Sequence, residues 1–164
     1  MNDISDFYDS ILNIGNIDKF EKIKEIVNIE RKKLLNQVNE LDGFCKFIAN
    51  QIECDIKENI SGVKTTLIDL NDISNIDHVF LIAEYRFNNE IKKILIDPTF
   101  VQFAKQKNKA LVNLKYWPSE KLDSNFVDIL LKDGLIKVNE EDLKKYLRAF
   151  NNIKKEDYKK NIQK

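Results

Sequence analysis

The chain has 164 residues, of which 43% are hydrophobic and 33% charged, so it is long enough for one domain with a real core and short for two. Its 27 basic and 27 acidic residues cancel to a net charge of zero, which removes the electrostatic basis for binding nucleic acid or an anionic membrane. No apolar run approaches the roughly 20 residues of a membrane helix, and the acidic N-terminus does not resemble a secretory signal. We therefore expect a single domain over residues 1–164 with no nucleic-acid or membrane partner, cytoplasmic or exported without a classical signal peptide.

The N-terminal part of the chain carries helical patterns. A short helix is predicted over residues 5–12 and a longer one over residues 17–41, where apolar residues recur at three-to-four spacing. Asp42-Gly43 ends that helix and opens the next, so Cys45 falls in the first turn of a helix that runs to about Glu58. The apolar stripe of the long helix consists of Phe20, Ile23, Val27, Leu34, Leu35, Val38 and Leu41, and that of the next helix of Ile48, Ala49 and Ile52.

The middle of the chain carries patterns that predict β-strands. They are predicted over residues 63–70, 78–87 and 91–97, with a polar loop over residues 71–77. If Asn88-Asn89 are the two turn residues of a hairpin, Asp97 lies opposite Phe80 and is the diagonal neighbour of His78 on the same face. A three-residue turn without a bulge would instead place His78 and Asp97 on opposite faces.

The last third returns to helix. Pro98 ends the third strand, residues 100–109 are ambiguous, and residues 111–117 suggest a further strand stopped by Pro118. A helix capped by Ser124 and ended by Gly134 is predicted next, followed by an extended piece over residues 135–138. A further helix is capped by Asn139 with Asp142 and runs through Phe150. The tail from Lys154 is expected to fray. The fold class expected is α+β, with a core at about residues 41–103 and a helical part at 119–150.

Three side chains in this order form a possible cysteine-nucleophile site. At a helix start, unpaired N–H groups and the helix dipole stabilise the Cys45 thiolate, and the same N–H groups can bind an oxyanion. A thiol needs an imidazole within about 3 Å as its base, and a carboxylate on the far nitrogen fixes the tautomer. His78 is the only histidine, and the paired strand delivers Asp97. We predict Cys45 as nucleophile, His78 as base and then acid, and Asp97 as orienter.

Each residue also has a simpler interpretation. Free cysteines are often small buried hydrophobes, histidines are often satisfied core residues, and an aspartate before proline can merely start a turn. In that case the chain is a non-catalytic module that binds a protein partner. Cys45 and Cys54, nine positions apart on one helix, lie about 13 Å apart and cannot form a disulfide. One histidine and two distant cysteines do not have zinc-ligand spacing, so we expect no metal and no cofactor.

The same three segments resemble the papain-like and transglutaminase-like superfamily of cysteine enzymes. The resemblance is carried by Leu41–Cys45, His78–Leu81 and Ile96–Phe103, and the last is similar to the Asp-Pro-Thr strand end of bacterial papain-fold toxin and effector domains, including glutamine deamidases, and of arylamine acetyltransferases. It implies a catalytic cysteine at a helix start, packed on a small antiparallel sheet that carries the histidine and the aspartate. It also implies a hydrolase that forms a thioester on an amide, as a protein glutamine deamidase, a peptidase or a transglutaminase-like acyltransferase.

Two features depart from that family. Papain-like proteases place a glutamine a few residues before the cysteine to complete the oxyanion hole, and here Gln37 and Asn39 are the candidates, both on the preceding predicted helix. The small-Gly-x-Cys-Trp sequence of the secreted papain proteases is absent. The substrate that the resemblance implies is a protein or peptide with a glutamine amide.

Overall fold

The computed structural model describes residues 18–38, 44–74, 76–104 and 117–151, and these form an α+β fold. A four-stranded antiparallel sheet has the strand order β1-β2-β3-β4. In chain order the elements are α1 (Phe20–Gln37), α2 (Cys45–Asn59), β1 (Lys64–Asp69), α3 (Leu70–Ser74), β2 (Val79–Phe87), β3 (Glu90–Ile96), two 3₁₀ turns (Phe100–Phe103 and Pro118–Lys121), α4 (Ser124–Asp133), β4 (Leu135–Val138) and α5 (Glu140–Ala149). Over these ranges, none of the helices combines the length and the apolar character needed to cross a membrane.

The β2–β3 hairpin has the register that the sequence predicts. Leu81 lies opposite Ile96 and Phe87 opposite Glu90, which leaves Asn88-Asn89 as the two turn residues. Both have positive φ, 52° and 63°, as the commonest two-residue hairpin turn requires, and asparagine tolerates that region better than most residues. The hairpin therefore fixes the positions of the residues that flank its open end.

The sheet is covered on both faces, and side chains alternate between two cores along β2. One face packs against α1 and α2, and its core includes Val79, Leu81, Ala83, Ile94, Ile96, Ile23, Val27, Ile48 and Ile52. The other face packs against α4, α5 and the 3₁₀ turns, and its core includes Phe80, Ile82, Leu95, Phe100, Phe103, Leu130, Tyr146 and Phe150. Burial on both faces explains why the start of β2 is a continuous apolar run instead of an alternating one.

Several predicted bounds in the N-terminal half are wrong. Helix α1 starts at Phe20 and ends at Gln37, so it is shorter at both ends than residues 17–41, and Leu35 is 46% exposed instead of belonging to the buried stripe. The one-turn helix α3 takes up the last residue of the strand predicted over residues 63–70 and most of the loop predicted over residues 71–77. This helix forms because the Asp69 carboxylate accepts the N–H of Asn71 at 2.9 Å, as an N-capping aspartate does.

In the C-terminal half, Gly134 ends α4 in the left-handed region with φ 76°, as predicted. Asp123, not Ser124, precedes the first turn of α4, and its side chain makes no capping bond. The Asn139–Asp142 capping box opens α5 as predicted. Sequence patterns assign no partner to residues 135–138, whereas the structure pairs them with β3 as an edge strand. The predicted helix at residues 5–12, the predicted strand at residues 111–117 except for Trp117, and the tail from Lys154 lie outside the described residues.

Candidate active site

Cys45 is the first residue of α2 and is 7% exposed. Helix α2 packs Ile48, Ala49 and Ile52 on the sheet, as predicted, which fixes the position of its N-terminus. The N–H of Ile48 donates to the carbonyl oxygen of Phe44, so the preceding N–H groups of the first turn have no intrahelical acceptor. The thiol therefore lies beside backbone donors at the positive end of a helix of 15 residues.

His78 immediately precedes β2 instead of starting it, and its side chain is fully buried. Its N–H donates to the carbonyl oxygen of Ile76 at 2.9 Å, and its own carbonyl accepts the N–H of Leu70 at 2.8 Å. Two short backbone bonds thus hold the residue at the strand entrance.

Asp97 follows the last residue of β3 and is also fully buried. Its N–H donates to the carbonyl oxygen of Gly134 at 2.9 Å, and its carbonyl accepts the N–H of Phe100 at 3.2 Å, which starts the 3₁₀ turn after Pro98. His78 Nε2 and Asp97 Oδ2 are 2.7 Å apart. The hairpin register thus produces the histidine–carboxylate contact predicted from the Asn88-Asn89 turn.

Cys45 lies next to His78, and this contact contributes to raising the pKa of the imidazole. The structure therefore brings together all three residues that sequence reasoning selected, in the order thiol, imidazole, carboxylate. This order is the arrangement used for nucleophilic catalysis by cysteine.

The charge of His78 follows from opposing influences on the pKa of its imidazole. Burial lowers the pKa of the imidazole, but the charge of Asp97, its hydrogen bond and the contact with Cys45 outweigh burial and raise the pKa from 6.5 to about 9. The imidazole is therefore protonated at neutral pH.

Aromatic rings surround His78 on the side opposite α2. Phe103 meets the imidazole edge-on at 4.6 Å between ring centroids, Phe150 stacks on it at 5.8 Å with an interplanar angle of 23°, and Phe80 lies at 6.0 Å. These rings exclude water from the His78–Asp97 contact. A low local dielectric strengthens the hydrogen bond between the imidazole and the Asp97 carboxylate.

Sequence reasoning missed two polar residues at the site. Gln102, in the 3₁₀ turn after Asp97, is 3% exposed, and its Nε2 lies 3.3 Å from His78 Nδ1 and 3.4 Å from Thr99 Oγ1. Tyr146 of α5 is fully buried and donates its hydroxyl to Asp97 Oδ2. The available signals were a glutamine inside an aromatic cluster and a tyrosine on the buried face of a helix, since each must find a polar partner when buried.

Of the other residues considered for the site, the two that the structure describes, Gln37 and Cys54, do not join it. Gln37 is exposed at the end of α1, and Asn39 lies outside the described residues. Cys54 is exposed and pairs with Glu58 Oε1 at 3.5 Å, and this hydrogen bond raises the pKa of its thiol. Cys54 is therefore a useful internal comparison for the reactivity of Cys45.

The assignment of this site is based on its geometry. Comparisons of the chain with protein-family models, with curated proteins and with solved structures gave no match.

Proposed function

We propose that this chain is a cysteine hydrolase of the papain-like or transglutaminase-like type that deamidates glutamine side chains of proteins through a thioester, as bacterial toxin and effector deamidases do. The observation that carries the proposal is that Cys45 lies beside the His78 imidazole, whose Nε2 is 2.7 Å from Asp97 Oδ2. A buried thiol, imidazole and carboxylate held in series match the requirements of a nucleophile, a proton carrier and an orienter.

In the first half-reaction the Cys45 thiolate attacks the carbonyl carbon of the substrate amide. A bond forms between sulfur and carbon, and the carbonyl electrons move to oxygen. When the tetrahedral intermediate collapses, the bond between carbon and nitrogen breaks, and the His78 imidazolium gives its proton to the leaving nitrogen, which departs as ammonia. The product at the enzyme is a thioester on Cys45.

The oxyanion of this intermediate is stabilised by the start of α2. Backbone N–H groups in the first turn of a helix have no intrahelical acceptor, and the helix dipole adds positive potential at the same place. Since Cys45 is itself the first residue of α2, an oxygen on the attacked carbon lies close to these donors.

In the second half-reaction water attacks the thioester. His78, now neutral, takes a proton from that water, and the bond between carbon and sulfur breaks to release a glutamate side chain and the thiolate. Asp97 keeps the imidazole oriented in both halves because its Oδ2 holds Nε2, which leaves Nδ1 to carry the proton.

Burial of the site favours a slim substrate group. Cys45 is 7% exposed, and His78 and Asp97 are fully buried. A glutamine side chain presents its carboxamide at the end of a thin aliphatic stem, whereas a main-chain peptide bond carries flanking residues on both sides. The closed surroundings of the thiol therefore support side-chain deamidation over cleavage of a polypeptide.

The test is mass spectrometry of proteins incubated with the wild-type chain and with Cys45→Ala. We expect glutamines converted to glutamates, with release of ammonia, only in the wild-type sample. Cys54→Ala serves as the matched control, because it removes an exposed thiol of the same helix and should leave the conversion intact.

Three other results would contradict the assignment. Protein fragments whose formation depends on Cys45 would indicate a peptidase instead of a deamidase. Adducts on glutamine side chains would indicate acyl or amine transfer. If the wild-type and Cys45→Ala samples do not differ, the chain is not an enzyme of this class and acts as a binding module.

A further inference from the structure

We propose that helix α5 belongs to the catalytic machinery, with Tyr146 positioning Asp97 and Phe150 positioning His78. The inference rests on the proposed function, because these two residues act through the histidine and aspartate of that site. Neither is a catalytic residue itself. The predicted core at residues 41–103 is thereby extended by a helix from the C-terminal part of the chain.

Tyr146 fixes the orientation of the Asp97 carboxylate. Its hydroxyl donates to Oδ2, the same oxygen that lies 2.7 Å from His78 Nε2. Among the described residues, Oδ1 of Asp97 is buried without a hydrogen-bond partner. Every side-chain hydrogen bond that the described residues make to Asp97 thus converges on one oxygen, and Tyr146 selects which oxygen faces the imidazole.

The Tyr146 hydroxyl is a donor at every pH at which the site can work. The pKa of this phenol is raised well above its ordinary value of 10. The main cause is burial, and the negative charge and the hydrogen bond of Asp97 add to it. A phenol that does not ionise always withdraws charge from the carboxylate. It therefore also moderates how strongly Asp97 holds the proton of His78.

Phe150 lies directly after α5, one helical turn beyond Tyr146, so both side chains lie on the same side of the helix. Its ring stacks on the His78 imidazole at 5.8 Å and contacts Phe103 at 5.0 Å. An aromatic face over a cation stabilises the cation, so Phe150 favours the imidazolium as well as restricting the tilt of the ring.

The backbone connects α5 to the same carboxylate. Helix α5 follows β4, whose Leu135 lies opposite Ile96, the residue before Asp97. The preceding Gly134 carbonyl accepts the Asp97 N–H at 2.9 Å. Gly134, which precedes β4 in the sequence, thus holds the backbone of Asp97. Tyr146, which follows β4, holds its side chain.

The test uses the fact that His78 is the only histidine, so its imidazole signal in a carbon–proton NMR spectrum of tag-free protein is unambiguous. We expect Tyr146→Phe to raise the pKa of His78 by about half a unit, because Asp97 loses a donor that competes for its charge. Phe150→Leu should lower the pKa by a similar amount, because the imidazolium loses its aromatic neighbour.

The matched control is Tyr85→Phe. Tyr85 is also a buried tyrosine that donates to a carboxylate, that of Asp18, but it lies on the opposite face of the sheet near the turn of the hairpin. This variant removes the same kind of bond and should leave the pKa of His78 unchanged. Shifts of opposite sign in the two α5 variants cannot come from a general loss of packing.

If either α5 variant titrates like Tyr85→Phe, the assignment of its residue is overturned. Tyr146→Phe in an Asp97→Asn background should add no upward shift, and an added shift would mean that Tyr146 does not act through Asp97. These titrations do not depend on catalysis. Failure of the proposed function would instead appear as an unreactive Cys45 in the wild-type chain.

Discussion

The charge state of His78 is decided by a balance between burial and one carboxylate. Full burial disfavours the imidazolium, and Asp97 at 2.7 Å favours it more strongly. The balance leaves the pKa at about 9, so a proton resides on the ring at neutral pH. If Asp97 loses its charge, burial becomes the dominant influence on the pKa of His78.

The first prediction is therefore that Asp97→Asn lowers the pKa of His78 below its ordinary value of 6.5, because the ring stays buried after the carboxylate is removed. An NMR titration of the single imidazole measures this directly. Asp18→Asn is the matched control, since that carboxylate is paired with Tyr85 on the other face of the sheet. A titration of Asp97→Asn near pH 9 would show that Asp97 does not hold the proton of His78.

At this scale, the residues that sequence analysis found are those with local signals. Cys45 comes two positions after Gly43 in the sequence, and the asparagine turn at residues 88–89 fixes the register that brings His78 near Asp97. Tyr146 has no such signal, since it is 49 positions from Asp97 and reaches it only through tertiary packing. Gln102 lay within the segment Ile96–Phe103, but no rule of spacing aims a glutamine at an imidazole.

Among the elements, helix α5 illustrates how local sequence stabilises a helix that supports the site. The Asn139 side chain accepts the N–H of Asp142 at 2.8 Å, and the Asp142 carboxylate accepts the N–H of Asn139 at 3.1 Å. This box satisfies two backbone donors at the start of the helix. It also sets the start of the helix that presents Tyr146.

The second prediction is that Asn139→Ala lowers the free energy of unfolding by about 1 kcal/mol, because a helix start loses its cap. Chemical denaturation with a common m-value measures the change. The matched control is Asp123→Ala, at the equivalent position before α4, where the side chain makes no capping bond. Equal losses in the two variants would mean that the box contributes nothing beyond the ordinary effect of an alanine.

The elements also show where sequence patterns are insufficient. The hairpin and the capped α5 were predictable because each carries its own turn or cap residues, and α2 was predictable because its apolar residues recur at helical spacing. The pairing of β4 with β3 was not, since a four-residue strand has no local feature that names a partner. The exposed face of α1 at Ile29 and Leu35 shows that helical spacing identifies apolar residues without deciding which of them pack.

At the scale of the whole molecule, the site lies where the two cores meet at the end of the sheet. Cys45 belongs to the core of α1 and α2, whereas the rings around His78 belong to the core on the other face. The thiol–imidazole contact therefore links both layers. Ionisation of His78 is consequently coupled to global folding and not only to local structure.

The third prediction concerns stability and pH. The folded pKa of His78, about 9, is raised above the unfolded value of 6.5, so its contribution is fully present below about pH 6.5 and is lost as pH rises through about 9. Up to about 3 kcal/mol of unfolding free energy should disappear over this window. Denaturation curves at several pH values measure the loss.

The control for this dependence is His78→Gln, which cannot titrate and should give a flatter curve over the same window. Lysine and tyrosine side chains elsewhere titrate equally in both proteins, so the difference between the two curves isolates His78. Parallel curves would mean that the folded and unfolded states bind the His78 proton equally, in contradiction to a raised pKa.

The most direct measurement of the central claim is the alkylation rate of Cys45 relative to Cys54 in the same protein at about pH 6, where an ordinary thiol is almost wholly protonated. We predict that Cys45 reacts at least about tenfold faster despite being buried, and that His78→Ala removes the advantage. Intact-mass and peptide analysis assigns the label to each site. If Cys45 reacts no faster than Cys54, or if its rate is unchanged in His78→Ala, the thiol is not activated and the chain is not a cysteine-nucleophile enzyme.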